Sequence, residues 1–245
     1  MFSVAETTLS ILRTVCETVG DNQLRLYAII PYAYEYVRRL AQVGMPGLTK
    51  AFTKQIIASA NARLLANGLK GIIRTDPSAL MRAYLSYEIS RVKSSVGRQA
   101  NLDALLLHET ITDMALGLNL DWFFKSYMDF MLQLGIQPGF NTRNFVYLVN
   151  EFKEWNIDLH ETIIVAPFNR VGFQMNPSRT ECEDTLKNNS QLKVIAISIL
   201  AAGYLDLPEA IDYIASLPNL KGVAVGVSKE RHASQTFELI SAKLG

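Results

Sequence analysis

An imidazole, two carboxylates and two hydroxyls follow one another in His108-Glu109-Thr110-Ile111-Thr112-Asp113, directly after the apolar run Ala104 to Leu107. Such a set suits proton transfer or orientation of a carbonyl, with His108, Glu109 and Asp113 as acid–base groups. A histidine bonded to backbone at a strand terminus is the plain alternative. Further along stands Asn141-Thr142-Arg143-Asn144, after the run that begins at Ile136. Its arginine offers a planar fork for a carboxylate or phosphate. Thr142 or Asn144 would serve equally as a cap for a helix starting at Phe145. The longest polar-aromatic stretch runs from Pro167 to Arg179, where the amides of Asn169, Gln174 and Asn176 could read a ligand's polar edge. Asn176-Pro177-Ser178 also works as a simple turn. Ser198 and Ala201-Ala202-Gly203-Tyr204 bring small residues that let a ligand approach the backbone. Tight packing of strand on helix needs the same residues. Last, Gly226-Val-Ser-Lys-Glu-Arg-His232 combines a helix start with Ser228, Lys229 and Arg231, the composition of a phosphate seat. A capped helix with solvated bases is its alternative.

Each of these clusters ends a short aliphatic run and precedes an amphipathic stretch. The runs lie at about 26–31, 70–75, 103–108, 136–141, 162–167, 194–200 and 222–227. Continuous apolar runs read as buried parallel strands, and alternation with helices reads as βα units. The expected fold is therefore α/β, a TIM-like (β/α) barrel of seven or eight parallel strands in a single domain. A doubly wound sheet usually announces its ligand by a glycine-rich first turn, and neither G-x-G-x-x-G nor G-x-x-x-x-G-K-[ST] occurs. In a barrel the chemistry sits at the carboxyl ends of the strands. His108, Asn141, Asn169, Ser198 and Ser228 are accordingly expected at one mouth. Residues 5–19 read as a helix with an apolar stripe of Leu9, Leu12, Val15 and Val19, packed away from that mouth. Arg38 through Arg74 contains seven bases and no acid. Within it residues 44–69 read as a helical insertion or lid that would attract anions, although a solvated helix face is the commonest use of such a block.

The chain has 245 residues and a net charge of +1, and 49% of its residues are hydrophobic, enough for a barrel core. A near-neutral balance without a reader motif speaks against nucleic acid. No apolar run is long enough for a membrane span. The N-terminus shows no basic region ahead of an apolar core, so no secretory leader is expected. Cys16 and Cys182 stand far apart, and His108, His160 and His232 are scattered singly, so no metal is expected. Few cysteines fit a reducing cytoplasm. The partner implied is an anionic small molecule, and a homo-oligomer is compatible with this reading.

Taken in order, several motifs resemble the aldo-keto reductase superfamily across residues 77 to 245. Tyr84-Leu-Ser-Tyr-Glu-Ile-Ser-Arg91 resembles the helix before that family's fourth strand. Leu102-Asp-Ala-Leu-Leu-Leu-His108 resembles its "DLYLLH" strand, whose histidine helps orient the substrate carbonyl. Ile195 to Leu205 resembles its seventh strand. Val223 to His232, with Gln235-Thr-Phe237, resembles its last strand and helix, where Ser, Lys and Arg hold the cofactor's adenosine phosphate. The resemblance implies NADP as cofactor, with Ser198, Gly203, Gly226, Ser228, Lys229 and Arg231 around it, and carbonyl reduction as the activity. The family's proton donor is a tyrosine. Tyr36 falls at its spacing, with Tyr32 and Tyr34 also available. The family's supporting aspartate is replaced by Pro31, and its lysine is missing from Arg74-Thr75-Asp76. A tyrosine near pKa 10 would then donate without their help. Two other activities therefore stay open. One is a lyase or isomerase acting on a phosphorylated or carboxylated small molecule. The other is a non-catalytic binding protein.

Overall fold

The structure is a computed structural model that describes residues 1–19, 24–31, 77–97, 100–227 and 230–244. The expected run at 70–75, the insertion 44–69 and Tyr36 lie outside the described residues, as do Ser228 and Lys229. The described chain divides into two compact units.

The first unit holds residues 1–108 and 120–138. Its strands are β1 (Phe2–Ser3), β2 (Leu24–Ile30) and β3 (Ala100–Leu107), and its helices are α1 (Glu6–Val19), α2 (Pro77–Val96) and α4 (Asp121–Gln133). β1 pairs with β2 and β2 with β3, both parallel. Helix α1 packs on α2, and α2 on α4. The core is Ile30, Leu85, Leu105, Leu106, Phe124 and Met131, all fully buried. Tyr127 is buried among them because its hydroxyl donates to the Leu105 carbonyl. In α1 the buried line is Leu9 and Cys16, while Val15 and Val19 of the expected stripe are exposed. A helix turning every 3.6 residues buries Leu9 and Cys16 on one face and carries Val15 and Val19 off it.

The second unit holds residues 109–119 and 139–245. Its strands, in order and all parallel, are β4 (Gln137–Asn141, from Gly139 on), β5 (Ile163–Pro167), β6 (Lys193–Ile197) and β7 (Leu220–Val223). Its helices are α3 (Glu109–Gly117), α5 (Phe145–Glu154), α6 (Arg179–Lys187), α7 (Leu207–Ser216) and α8 (Glu230–Leu244). The architecture is thus α/β, with parallel strands alternating with helices in chain order. β5 is buried throughout, as a strand covered on both faces should be.

Local sequence sets the ends of these elements. Ser178 caps α6, its hydroxyl accepting from the Glu181 N–H at 3.2 Å and donating to the Glu181 carboxylate at 3.1 Å. Asp206 caps α7 by accepting from the Glu209 N–H at 2.8 Å, with Pro208 in the first turn. After α3, α5 and α7 the chain reverses through left-handed Asn119, Asn156 and Asn219, at φ 54°, 56° and 64°. Asparagine tolerates that region better than other side-chain-bearing residues, which is why it punctuates helix ends here. Two expectations need correction. The run 194–200 stops as a strand at Ile197, because Ser198 turns left-handed at φ 54°. Paired strand at the last run is Leu220–Val223, ahead of the expected 222–227. Among the described residues no helix is long and apolar enough to cross a membrane.

Candidate functional site

The second unit gathers a cluster where α3 meets the turn after β4. Glu109 opens α3, and Asp113 stands one turn later on the same helix. Across from them, the turn 142–144 follows the last residue of β4. Both forks of the Arg143 guanidinium engage Glu109, Nε to Oε2 at 3.1 Å and Nη2 to Oε1 at 2.6 Å. This is the bidentate geometry that makes arginine–carboxylate pairs directional. The arginine side chain is 43% exposed, so the pair is open to exchange with a solute anion. Asp113 accepts from the Thr142 hydroxyl and from the Arg143 N–H at 3.2 Å. The Asn144 side chain donates to it as well. Thr142 in turn accepts from the Asn144 N–H at 2.9 Å. Burial pushes the Asp113 carboxyl above its ordinary value, the three donors pull it down, and the Glu109 charge adds to the rise. Asn144 does occupy the cap position of α5, but its side chain makes no cap bond there.

Asn141 lies beside this turn as the last residue of β4. It is level with Val165 of β5, which is level with Ile195 of β6. Laterally paired residues of a sheet project to the same face. The preceding Phe140 projects to the other face and stacks edge-on against Phe152 of α5, their centroids 5.0 Å apart. Asn141 therefore points away from α5. It is 8% exposed, and its Oδ1 is buried with no hydrogen-bond partner. It is the one buried side-chain oxygen or nitrogen without a partner among the described residues. Buried polar atoms are overwhelmingly paired, so such an orphan calls for an occupant supplied from outside.

The loop after β5 is closed by Asn169. Its Nδ2 donates to the Phe173 carbonyl at 2.8 Å, and its Oδ1 accepts from the Phe173 N–H at 2.7 Å. Both polar ends of that fully buried amide are thus spent on the loop itself. The loop reaches the Arg143 turn, since the Asn176 N–H donates to the Arg143 carbonyl at 3.3 Å. Gln174 is half-buried with φ 62°. Beyond β6, the non-glycine residues Ser198, Ala201 and Ala202 take φ of 54°, 46° and 59°, followed by Gly203 at 89°. Left-handed backbone at residues bearing a Cβ is costly and concentrates where loops serve ligands. Small side chains there hold that cost down. Replacing Ala202 by glycine is expected to raise stability by about 1 kcal/mol, because glycine takes this φ without strain. Urea denaturation checks it, and an unchanged or lower midpoint would show that the loop is unstrained.

His108 follows β3 in the first unit, where its N–H donates to the Ile30 carbonyl at 2.6 Å. Gly226 and Arg231 are exposed on either side of the start of α8. His160 sits in a 3-10 turn before β5. Cys182 is buried, its Sγ donating to the Asn176 carbonyl, and desolvation with the nearby Glu181 and Glu183 pushes its thiol up to about 12. Such a thiol is unreactive at neutral pH. No group of three metal-ligating side chains comes together among the described residues. The residues that the sequence left unremarked are the links themselves, Thr142 to Asp113 and Arg143 to Glu109. No spacing signals them, because the partners are 29 and 34 positions apart. No family model, no curated protein and no solved structure matches the chain.

Proposed function

We propose that the chain is a TIM-like (β/α) barrel enzyme that takes a small anionic molecule at the carboxyl ends of its strands. The observation that carries this reading is the orphaned Oδ1 of Asn141, buried at a strand end beside the half-exposed guanidinium of Arg143. Asn141 would fix the ligand's polar edge, and Arg143 would meet its charge. Asn169 and Gln174 would shape the wall next to them. The order of motifs from residue 77 onward supports a diverged aldo-keto-reductase-like protein, and carbonyl reduction with NADPH is the reaction proposed. His108 would orient the carbonyl, and Tyr36 would donate the proton. Gly226 and Arg231, exposed around the start of α8, fit a phosphate, with Ser228 and Lys229 between them in sequence. The cofactor would supply the hydride.

A second reading has its own support. Glu109 and Asp113 stand one turn apart with Arg143 bound to both, a combination that serves proton transfer on a phosphorylated or carboxylated molecule without redox chemistry. Titration of the purified protein with NADPH, followed by nicotinamide fluorescence, separates the two. A saturable change supports the reductase. Its absence, with saturable binding of a simple phosphate ester, removes the cofactor and leaves the second reading. Binding of neither overturns the site. For the cofactor seat, Lys229→Ala with Arg231→Ala is expected to weaken phosphate-bearing ligands by about 2–4 kcal/mol, since charge-assisted bonds are lost. Equal affinity in wild type and double variant would leave the segment as an ordinary helix start.

A further inference from the structure

We propose that Asp113 is the positioning residue of this site, its carboxylate fixing the 142–144 turn and thereby the placement of Asn141 and Arg143. The proposal rests on the reading of that turn as a ligand site, but its geometric half stands separately.

Three donors from three successive residues converge on one carboxylate. They are the Thr142 hydroxyl, the Arg143 N–H and the Asn144 side chain. Thr142 is fully buried, so no water replaces its bond. Other bonds hold the remaining groups of the turn. Its further bonds are the Thr142 N–H to the Val165 carbonyl, the Asn144 N–H to Thr142, the Leu148 N–H to the Asn144 carbonyl and the Asn176 N–H to the Arg143 carbonyl. The backbone of Arg143 is therefore set on its donor side by Asp113 alone. With the backbone set, the guanidinium meets Glu109 in fork geometry. Asp113 makes these contacts from α3, an element separate from the strand and loop it orders. A carboxylate so occupied has its lone pairs directed at the protein. In this role it acts on a ligand through Asn141 and Arg143.

Among the described residues the charged groups facing Asp113 are Glu109, one turn earlier on its own helix, and Arg143, whose guanidinium is taken by Glu109. Thr142 and Asn144 are neutral. Desolvation outweighs the three donors and raises the carboxyl. A group raised in the folded state contributes stability that is whole below its unfolded pKa of about 4 and is lost as pH rises through the folded value. At neutral pH the ionised Asp113 thus burdens the fold while it orders the turn. That combination is expected of a residue kept for function, not for stability.

The test is a pH titration of the Arg143 and Asn144 backbone amide resonances in the full chain by NMR, in wild type and in Asp113→Asn. In wild type both resonances are expected to shift with one midpoint above the ordinary aspartate value. In Asp113→Asn that titration disappears, and the melting temperature at neutral pH is unchanged or higher. Inorganic phosphate, used as the probe, binds at least tenfold more weakly to the variant. The proposal is overturned if the wild-type resonances do not titrate, or if they titrate unchanged in the variant. It is also overturned if a folded Asp113→Asn binds phosphate as wild type does. Should Asp113→Asn fail to fold at neutral pH, the proposal falls, because the ionised carboxylate would then be stabilising. Should wild type bind no phosphate, the functional reading fails, while the resonance titration still decides whether Asp113 sets the turn.

Discussion

Phe152→Ala is expected to destabilise the second unit by about 3–5 kcal/mol, the largest stability loss of any substitution considered. The ring is fully buried on α5. It stacks edge-on against Phe140 of β4 at 5.0 Å and lies 6.1 Å from Trp155. Truncation removes the transfer energy of the ring and leaves a cavity, because the strand and helix backbones around it cannot close in. The aromatic pair adds about 0.5–1.5 kcal/mol beyond its area. Phe140 is the residue before Asn141, so slack at this pair is passed to the candidate site. The expected result is a lowered urea midpoint together with weaker ligand binding. Phe152→Leu, which keeps most of the volume, should recover the larger part of both. A loss below about 1 kcal/mol would show that α5 is not held to β4 through this pair.

How far the sequence foretold this depends on the range of the signal. β5 is plain, because Ile163 to Ala166 is an unbroken aliphatic run between Thr162 and Pro167. α6 and α7 were plain for local reasons too, since Ser178 and Asp206 are cap residues with a glutamate three positions on. β1 was missed because two residues, Phe2 and Ser3, carry no periodicity at all. α3 has no such signal, and Glu109 to Asp113 reads from sequence only as a polar cluster at a strand end. Its two threonines and isoleucine have low helix propensity, and only tertiary packing of Thr112, Ala115 and Leu116 overrides that.

The site divides along the same line. Residue type and position after aliphatic runs mark Glu109, Asp113 and Arg143 as candidates for chemistry. That Arg143 is forked onto Glu109, or that Asp113 collects three donors from one turn, was not legible. Those facts depend on how α3 sits against the end of β4, and no local pattern encodes it. Asn169 shows the converse. Its type suggested ligand contact, yet the amide closes its own loop onto Phe173. Asparagine bonding to backbone a few residues on is among its commonest uses. The orphaned oxygen of Asn141 was beyond sequence altogether, because being unpaired is a property of surroundings.

The pairing of Arg143 with Glu109 leads to expected effects on binding that have opposite signs. Arg143→Ala should weaken a phosphate-bearing ligand by about 1.5–3 kcal/mol, roughly ten- to a hundredfold, through loss of charge-assisted bonds. Glu109→Gln should tighten the same ligand. The neutral amide keeps the shape of the side chain but no longer competes as an anion for the guanidinium. The competition is real because the arginine side chain is 43% exposed and the glutamate 24%, so a solute can reach the pair. Arg143→Lys, which keeps the charge and loses the fork, should fall between wild type and Arg143→Ala. Stability serves as the control. A partly exposed ion pair contributes no more than about 1 kcal/mol, so all three variants should melt within a few degrees of wild type. Isothermal titration with inorganic phosphate reads the affinities. If Glu109→Gln binds more weakly than wild type, the glutamate is helping the ligand and not guarding the arginine. If none of the variants alters affinity, the pair is only a fastening between α3 and the turn, and the anion must be sought elsewhere.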